Sequence, residues 1–88
     1  MREFEIKPSL YKKMLKLFSK DKITHEYLLK KIDEILNSSD LNQYKNLKAP
    51  MSEFKRVHIG SFVLIFKYDV KLDYVSFMDF KHHDEAYV

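Results

Sequence analysis

The sequence predicts an α+β fold of order β-α-α-β-β-β: a helical hairpin packed on one face of a small, mainly antiparallel sheet, in a single domain spanning residues 1–88. In the first half, apolar residues recur with the period of a helix. From residue 52 onward the period changes to two, as in strands. Between these halves and the tail, Phe62-Val63-Leu64-Ile65-Phe66 is apolar at every position. A strand with that pattern is buried on both faces and belongs in the middle of a sheet.

The elements follow in order. Residues 2–7 alternate, with Phe4 and Ile6 on one side and Glu3, Glu5 and Lys7 on the other, which reads as a short half-buried strand. Pro8-Ser9 breaks the strand and opens a helix, with Ser9 as the expected N-cap. Leu10, Met14, Leu17 and Phe18 then form one apolar stripe. Asp21-Lys22 is the turn, and a second helix over residues 24–37 carries Leu28, Ile32, Ile35 and Leu36 at the same spacing. Three strands follow at 53–59, 62–68 and 74–80. The first two are joined by Gly60-Ser61, where the chain's only glycine supplies a positive φ. The helices are expected to cover one face of the sheet and leave the other concave and exposed. A chain of this size buries roughly 60–65% of its unfolded surface, so few apolar residues remain for a second core or a deep ligand pocket.

Composition narrows the chemistry. With no cysteine there is no disulfide, no thiolate nucleophile and no cysteine metal site. A single glycine excludes a glycine-rich phosphate loop and a dinucleotide fingerprint. The longest apolar run, residues 62–66, is far short of a membrane span. The first residues lack the apolar stretch of a signal peptide. The expectation is a soluble, cytoplasmic protein with no membrane partner, no metal and no small-molecule cofactor.

The formal charge of +3 is concentrated in residues 43–58, where Lys45, Lys48, Lys55 and Arg56 face a single acid, Glu53, while the rest of the chain balances to zero. Such a patch attracts phosphate backbones, or is simply a solvated lysine-rich surface. Residues two apart share a face of a strand, so Arg56 and His58 point to the open side if Val57 and Ile59 face the helices. A histidine there can pass a proton near neutral pH, and the arginine can hold a phosphate. The tail, Lys81-His82-His83-Asp84-Glu85-Ala86-Tyr87, is dense in polar groups. If it forms a helical turn, His83 and Tyr87 share a face, and Tyr87 can stack on a base while His83 reaches its phosphate. Alternatively Tyr87 packs on the sheet and the polar run frays. His25, at the start of the second helix, reads as a surface or capping residue.

Taken together, these segments resemble the RelE/ParE superfamily of toxins, on its ribosome-dependent mRNA interferase side. The resemblance rests on the element order, on Asn46-Leu47-Lys48-Ala49 where the family has a Leu-Lys-Gly element, on residues 55–66 as its basic strand, turn and aliphatic strand, and on residues 82–87 as its closing motif. It covers nearly the whole chain, though each motif alone is weak. It implies metal-free cleavage of mRNA in the ribosomal A site by attack of a ribose 2′-hydroxyl, and a small cognate antitoxin as partner. The catalytic group it implies is His58, His83, Tyr87, Arg56 and Lys81. Lys45, Lys48, Lys55, His82 and Phe62 are the expected RNA contacts. Two departures stand out. Val63 occupies a position where RelE carries a catalytic arginine, and Ser61-Phe62 stands where the histidine-using YafQ-like branch carries Asp-Trp. A gyrase-inhibiting ParE-like protein and a degenerate RNA-binding member of the same fold remain alternatives.

Overall fold

The computed structural model describes residues 1–86. Strand β1 (Glu3–Ile6) leads into helices α1 (Pro8–Lys20) and α2 (Lys22–Asn37). A 3-10 turn, Leu41–Gln43, precedes strands β2 (Lys55–Ile59), β3 (Phe62–Asp69) and β4 (Tyr74–His82), and the one-turn helix α3 (His83–Ala86) follows. The sheet order is β1-β4-β3-β2. The last three strands form an antiparallel meander, and β1 lies parallel to β4. The predicted order and class hold. The strand at 53–59 starts two residues later, because residues 51–54 form a turn in which the Phe54 amide donates to the Met51 carbonyl.

Both helices begin for local reasons. Pro8 sits in the first turn of α1, where its missing N–H costs nothing. The N-cap is Lys7, which makes no side-chain cap, and the expected Ser9 already lies inside the helix. Asp21 closes α1 and caps α2: its carboxylate accepts from the Thr24 amide at 3.1 Å and the Thr24 hydroxyl at 2.6 Å. One residue thus makes the hairpin turn. The buried stripe of α1 is Leu10, Met14 and the partly buried Leu17, packed with Leu28, Ile32, Ile35 and Leu36 of α2. Phe18 departs from the expected stripe. It is 54% exposed and lies edge-on to His25 across the hairpin. The i+8 position has drifted past the core face, since eight residues at 3.6 per turn overshoot two full turns.

The helices cover one face of the sheet, against Leu64, Phe66, Val75, Phe77 and Phe80. The opposite face carries a second, smaller apolar cluster of Leu47, Val63 and Ile65, with Phe54 and Met78 packed beside it. The face expected to be concave and exposed is thus partly covered, by a second cluster of only three buried residues, in line with the few apolar residues left for one. The chain between the 3-10 turn and β2 folds back over that face. The Leu47 amide donates to the Phe54 carbonyl at 2.9 Å, and the Arg56 amide donates to the Lys45 carbonyl at 2.9 Å. The outer edge of β2 is thereby partly paired rather than open. Gly60 has φ +60° at the first position of the two-residue β2–β3 turn, as expected of the only glycine. No helix among the described residues is long and apolar enough to cross a membrane.

Arg2 ties three elements together. Its guanidinium donates to the carbonyls of Ile35, Leu36 and Ser38 at the C-terminal end of α2, and its Nε donates to Asp73 at 2.9 Å in the β3–β4 turn. A cation belongs at a helix C-terminus, where carbonyls are left without amide partners. Tyr68 also donates to Asp73, at 2.6 Å. These hydrogen bonds, from Tyr68 first and then Arg2, hold the Asp73 carboxyl below the usual carboxylate range. Asp73 itself has φ 49°, a left-handed conformation that Asp and Asn tolerate. A carboxyl whose pKa is lower in the folded state stabilises the fold above its unfolded value of about 3.9, and the contribution disappears as pH falls through the folded value. Asp73→Asn keeps the backbone preference and removes the charge. It should lower Tm at pH 7, and the difference from wild type should shrink in thermal melts as the pH falls below the ordinary carboxylate range and through the lowered folded-state value.

Candidate nucleic-acid cleavage site

Register places the candidate side chains. His58 of β2 and Lys81 of β4 are both partners of Val63, so the three lie in one row across β2, β3 and β4. Arg56, Ile65 and Asp79 form the next row. Val63 and Ile65 belong to the cluster on the face away from the helices. Arg56, His58 and Lys81 therefore stand on that face, above an apolar floor, as the parity of β2 predicts. The helical turn expected of the tail is α3. Its first residue, His83, donates its amide to the Ser61 carbonyl at 2.8 Å, which pins the turn to the β2–β3 connection. This brings the His83 ring over His58, with centroids 5.2 Å apart and planes 30° from parallel. Two imidazoles, a guanidinium and an ammonium thus share one end of one sheet face. Tyr87, expected beside His83, lies outside the described residues.

Asp79 was not singled out from the sequence. Between Ile65 and Phe66 the register with β4 slips, so Met78 is an extra residue. Beyond Phe77, β4 has no β1 partner, and α1 lies against it. Asp79 at that place accepts from Lys13 Nζ at 2.6 Å and lies 3.8 Å from Lys81 Nζ. It therefore positions Lys81 and draws down its net field. The bulge, which sequence periodicity does not reveal, immediately precedes Asp79.

The expected RNA contacts separate into three groups. Lys45 and Lys48 are exposed on the chain that leads to β2, and the Lys45 carbonyl accepts from the Arg56 amide. Lys55 is not on the surface. It is only 9% exposed, and its ammonium donates to the Tyr44 carbonyl at 3.2 Å and to Asn46 Oδ1 at 3.1 Å. Its parity puts it with Val57 and Ile59 rather than with Arg56, and it anchors the covering chain instead of meeting a ligand. Phe62 and His82 are partners in register and contact each other on the helix side of the sheet, their rings 5.6 Å apart. They do not join His58 and His83. Consecutive residues His82 and His83 thus serve opposite faces. Among the described residues, no group of three or more His, Asp or Glu side chains is placed to hold a metal.

No family model matches the sequence. A protein of Methanocaldococcus jannaschii named "Putative toxin RelE4" is 48% identical over 88 residues, 99% of this chain and 92% of its own length. The chain belongs to the RelE toxin family. An uncharacterised protein of Methanosarcina mazei is 45% identical over 84 residues, 94% of this chain and 95% of its own. Solved structures share the fold at low identity. A YoeB/ParE toxin from Agrobacterium tumefaciens has TM-score 0.78 at 12% identity, covering 92% of this chain and 98% of its own. A chain of the intact E. coli RelBE toxin-antitoxin complex has TM-score 0.71 at 18% identity, covering 93% of this chain and 96% of its own.

The buried lysine of this RelE-family chain allows a direct check. Lys55→Met keeps the length of the stem and strands the Tyr44 carbonyl and Asn46 Oδ1. It should lower unfolding free energy by about 1–3 kcal/mol in urea melts. An exposed RNA-contacting lysine would give no such loss.

Proposed function

We propose that this chain is a metal-free endoribonuclease toxin that cuts mRNA in the ribosomal A site and is held inactive by an antitoxin. The observation that carries the reading is the His58–His83 pair, two imidazoles 5.2 Å apart on the same face as Arg56 and Lys81. Cleavage by a neighbouring ribose needs no external nucleophile. One imidazole takes the proton of the 2′-hydroxyl, whose oxygen attacks the adjacent phosphorus. The bond from phosphorus to the 5′-oxygen breaks, and the other imidazole gives that oxygen a proton. The products are a 2′,3′-cyclic phosphate and a 5′-hydroxyl. Arg56 and Lys81 neutralise the charge that builds on the phosphoryl oxygens. Val63 contributes no charge. In this reading the cationic work of a family arginine at that position falls to Lys81 in its own row and Arg56 in the next.

Toxin-antitoxin complexes among the structural relatives, from E. coli and from Staphylococcus aureus, support an antitoxin as the partner. The exposed lysines Lys45 and Lys48 and the open cationic face are what such a partner would cover, and what ribosome-bound mRNA would meet.

The reading is tested by inducible expression with and without the neighbouring antitoxin gene, with mRNA 5′ ends mapped. Wild type should arrest growth and cut translated transcripts. His58→Ala and His83→Ala should each reduce cleavage by about 100- to 10,000-fold, the usual contribution of a general acid or base. Growth arrest with intact transcripts would overturn it.

A further inference from the structure

The helix side of the same sheet end holds a second feature that the cleavage site does not use. Lys13, Lys16, Leu17 and Lys20 of α1 and Phe62 and Phe80 of the sheet line a slot of about 220 Å³. Its floor is apolar. The Phe62 and Phe80 rings stack at 4.8 Å and 15°, and the His82 ring meets Phe62 edge-on. Its rim is cationic, and α1 contains no acidic residue at all. Lys13 is held by Asp79 at 2.6 Å and by the Phe80 carbonyl at 3.1 Å. Lys16 and Lys20 are exposed. The slot is smaller than the roughly 300–1,000 Å³ of a drug-sized site, so it suits one planar ring with its phosphate outside. An aromatic floor under a lysine rim is the chemistry of single-strand binding, with bases on aromatic faces and the backbone on cations.

The slot and the cleavage face are separated only by the end of the sheet. His82 contacts Phe62 on one side of it and His83 contacts His58 on the other. A strand leaving the cleavage face at this corner arrives at the slot. We propose that the slot is a second nucleotide site, which takes an unpaired nucleotide of the same RNA, its base against Phe62 and its phosphate on Lys16 and Lys20. This rests on the reading of the chain as an RNA-acting protein. It keeps Phe62 and His82, two of the expected RNA contacts, as RNA contacts, at a site next to the cleavage group rather than within it.

The test uses the full chain and a fluorescein-labelled 2′-O-methyl oligouridine of about 12 nucleotides, which spans several contacts and offers no hydroxyl for attack. Anisotropy is followed between roughly 50 and 200 mM salt. The Lys16→Ala/Lys20→Ala double variant, both changes on exposed helix positions, should weaken binding about 5- to 10-fold and reduce the log–log salt slope by about 1.4, two single-strand phosphate contacts. Phe62→Leu should weaken binding about fivefold or more with little change in slope. Lys30→Ala on α2 should change neither. Unchanged affinity in the double variant while Arg56→Ala weakens binding would overturn the slot and leave the cleavage reading standing. No binding by wild type would overturn it as well. So would a Glu- and Leu-rich helical peptide that binds wild type but not the double variant while RNA binding is unaffected, since the slot would then belong to a protein partner. If the double variant loses affinity as expected but expression leaves transcripts intact, the slot stands and the cleavage reading falls.

Discussion

Strand β3 puts Leu64 and Phe66 on one face of the sheet and Val63 and Ile65 on the other, and all four are buried. A sheet with such a strand needs cover on both sides, because leaving either pair in water forfeits about 1.5–3 kcal/mol for each side chain. The helical hairpin covers the first face. The chain before β2 is recruited to cover the second, with Leu47 and Phe54 laid over Val63 and Ile65 and with Lys55 fastening it from the other side of β2. That cover does not extend over the whole face. At the end of the sheet, polar side chains from β2, β4 and α3 take its place, and this is where His58, Lys81 and His83 stand. The candidate site thus lies where the cover from Leu47 and Phe54 ends.

Parity along a strand was legible in the sequence. Arg56 and His58 are separated from Val57 and Ile59 by elementary alternation, and the structure agrees. The apolar stripes of both helices, the central position of β3 and the positive φ of Gly60 were legible for similarly local reasons. What covers each face was not, because alternation says which residues share a side and nothing about which distant segment arrives there. Lys55 shows the cost. Its charge placed it with the basic patch, while its parity placed it with the core-facing residues. Parity won because two oxygens, the Tyr44 carbonyl and Asn46 Oδ1, satisfy its ammonium where it is buried.

The tail shows a different limit. His82 and His83 are adjacent and chemically identical, so composition counts them together. The strand ends between them. His82 keeps strand geometry and sits in register with Phe62, while His83 starts a helical turn and swings toward His58. Alternation alone sends neighbouring side chains to opposite faces, and the helical turn pinned to Ser61 adds the approach of His83 to His58. The β4 bulge departs from alternation. One extra residue, Met78, lets Phe77 and Phe80 both face the helices although they are three apart, which simple alternation forbids.

The bulge also links the two faces electrostatically. Asp79 lies where β4 has run out of its β1 partner, so its carboxylate is approached by Lys13 from α1 and by Lys81 from the strand itself. One acid therefore offsets a cation on the slot side and another on the cleavage side. An exposed ion pair is worth little to stability, about 0–1 kcal/mol, so folding alone gives small reason to place a carboxylate there. Its effect on geometry is larger. It holds the Lys13 ammonium at 2.6 Å and lies 3.8 Å from that of Lys81, which stands in the row of His58 and Val63. The fold thus sets a carboxylate beside Lys81, one of the two cations the proposed chemistry uses, and ties it to α1 through Lys13.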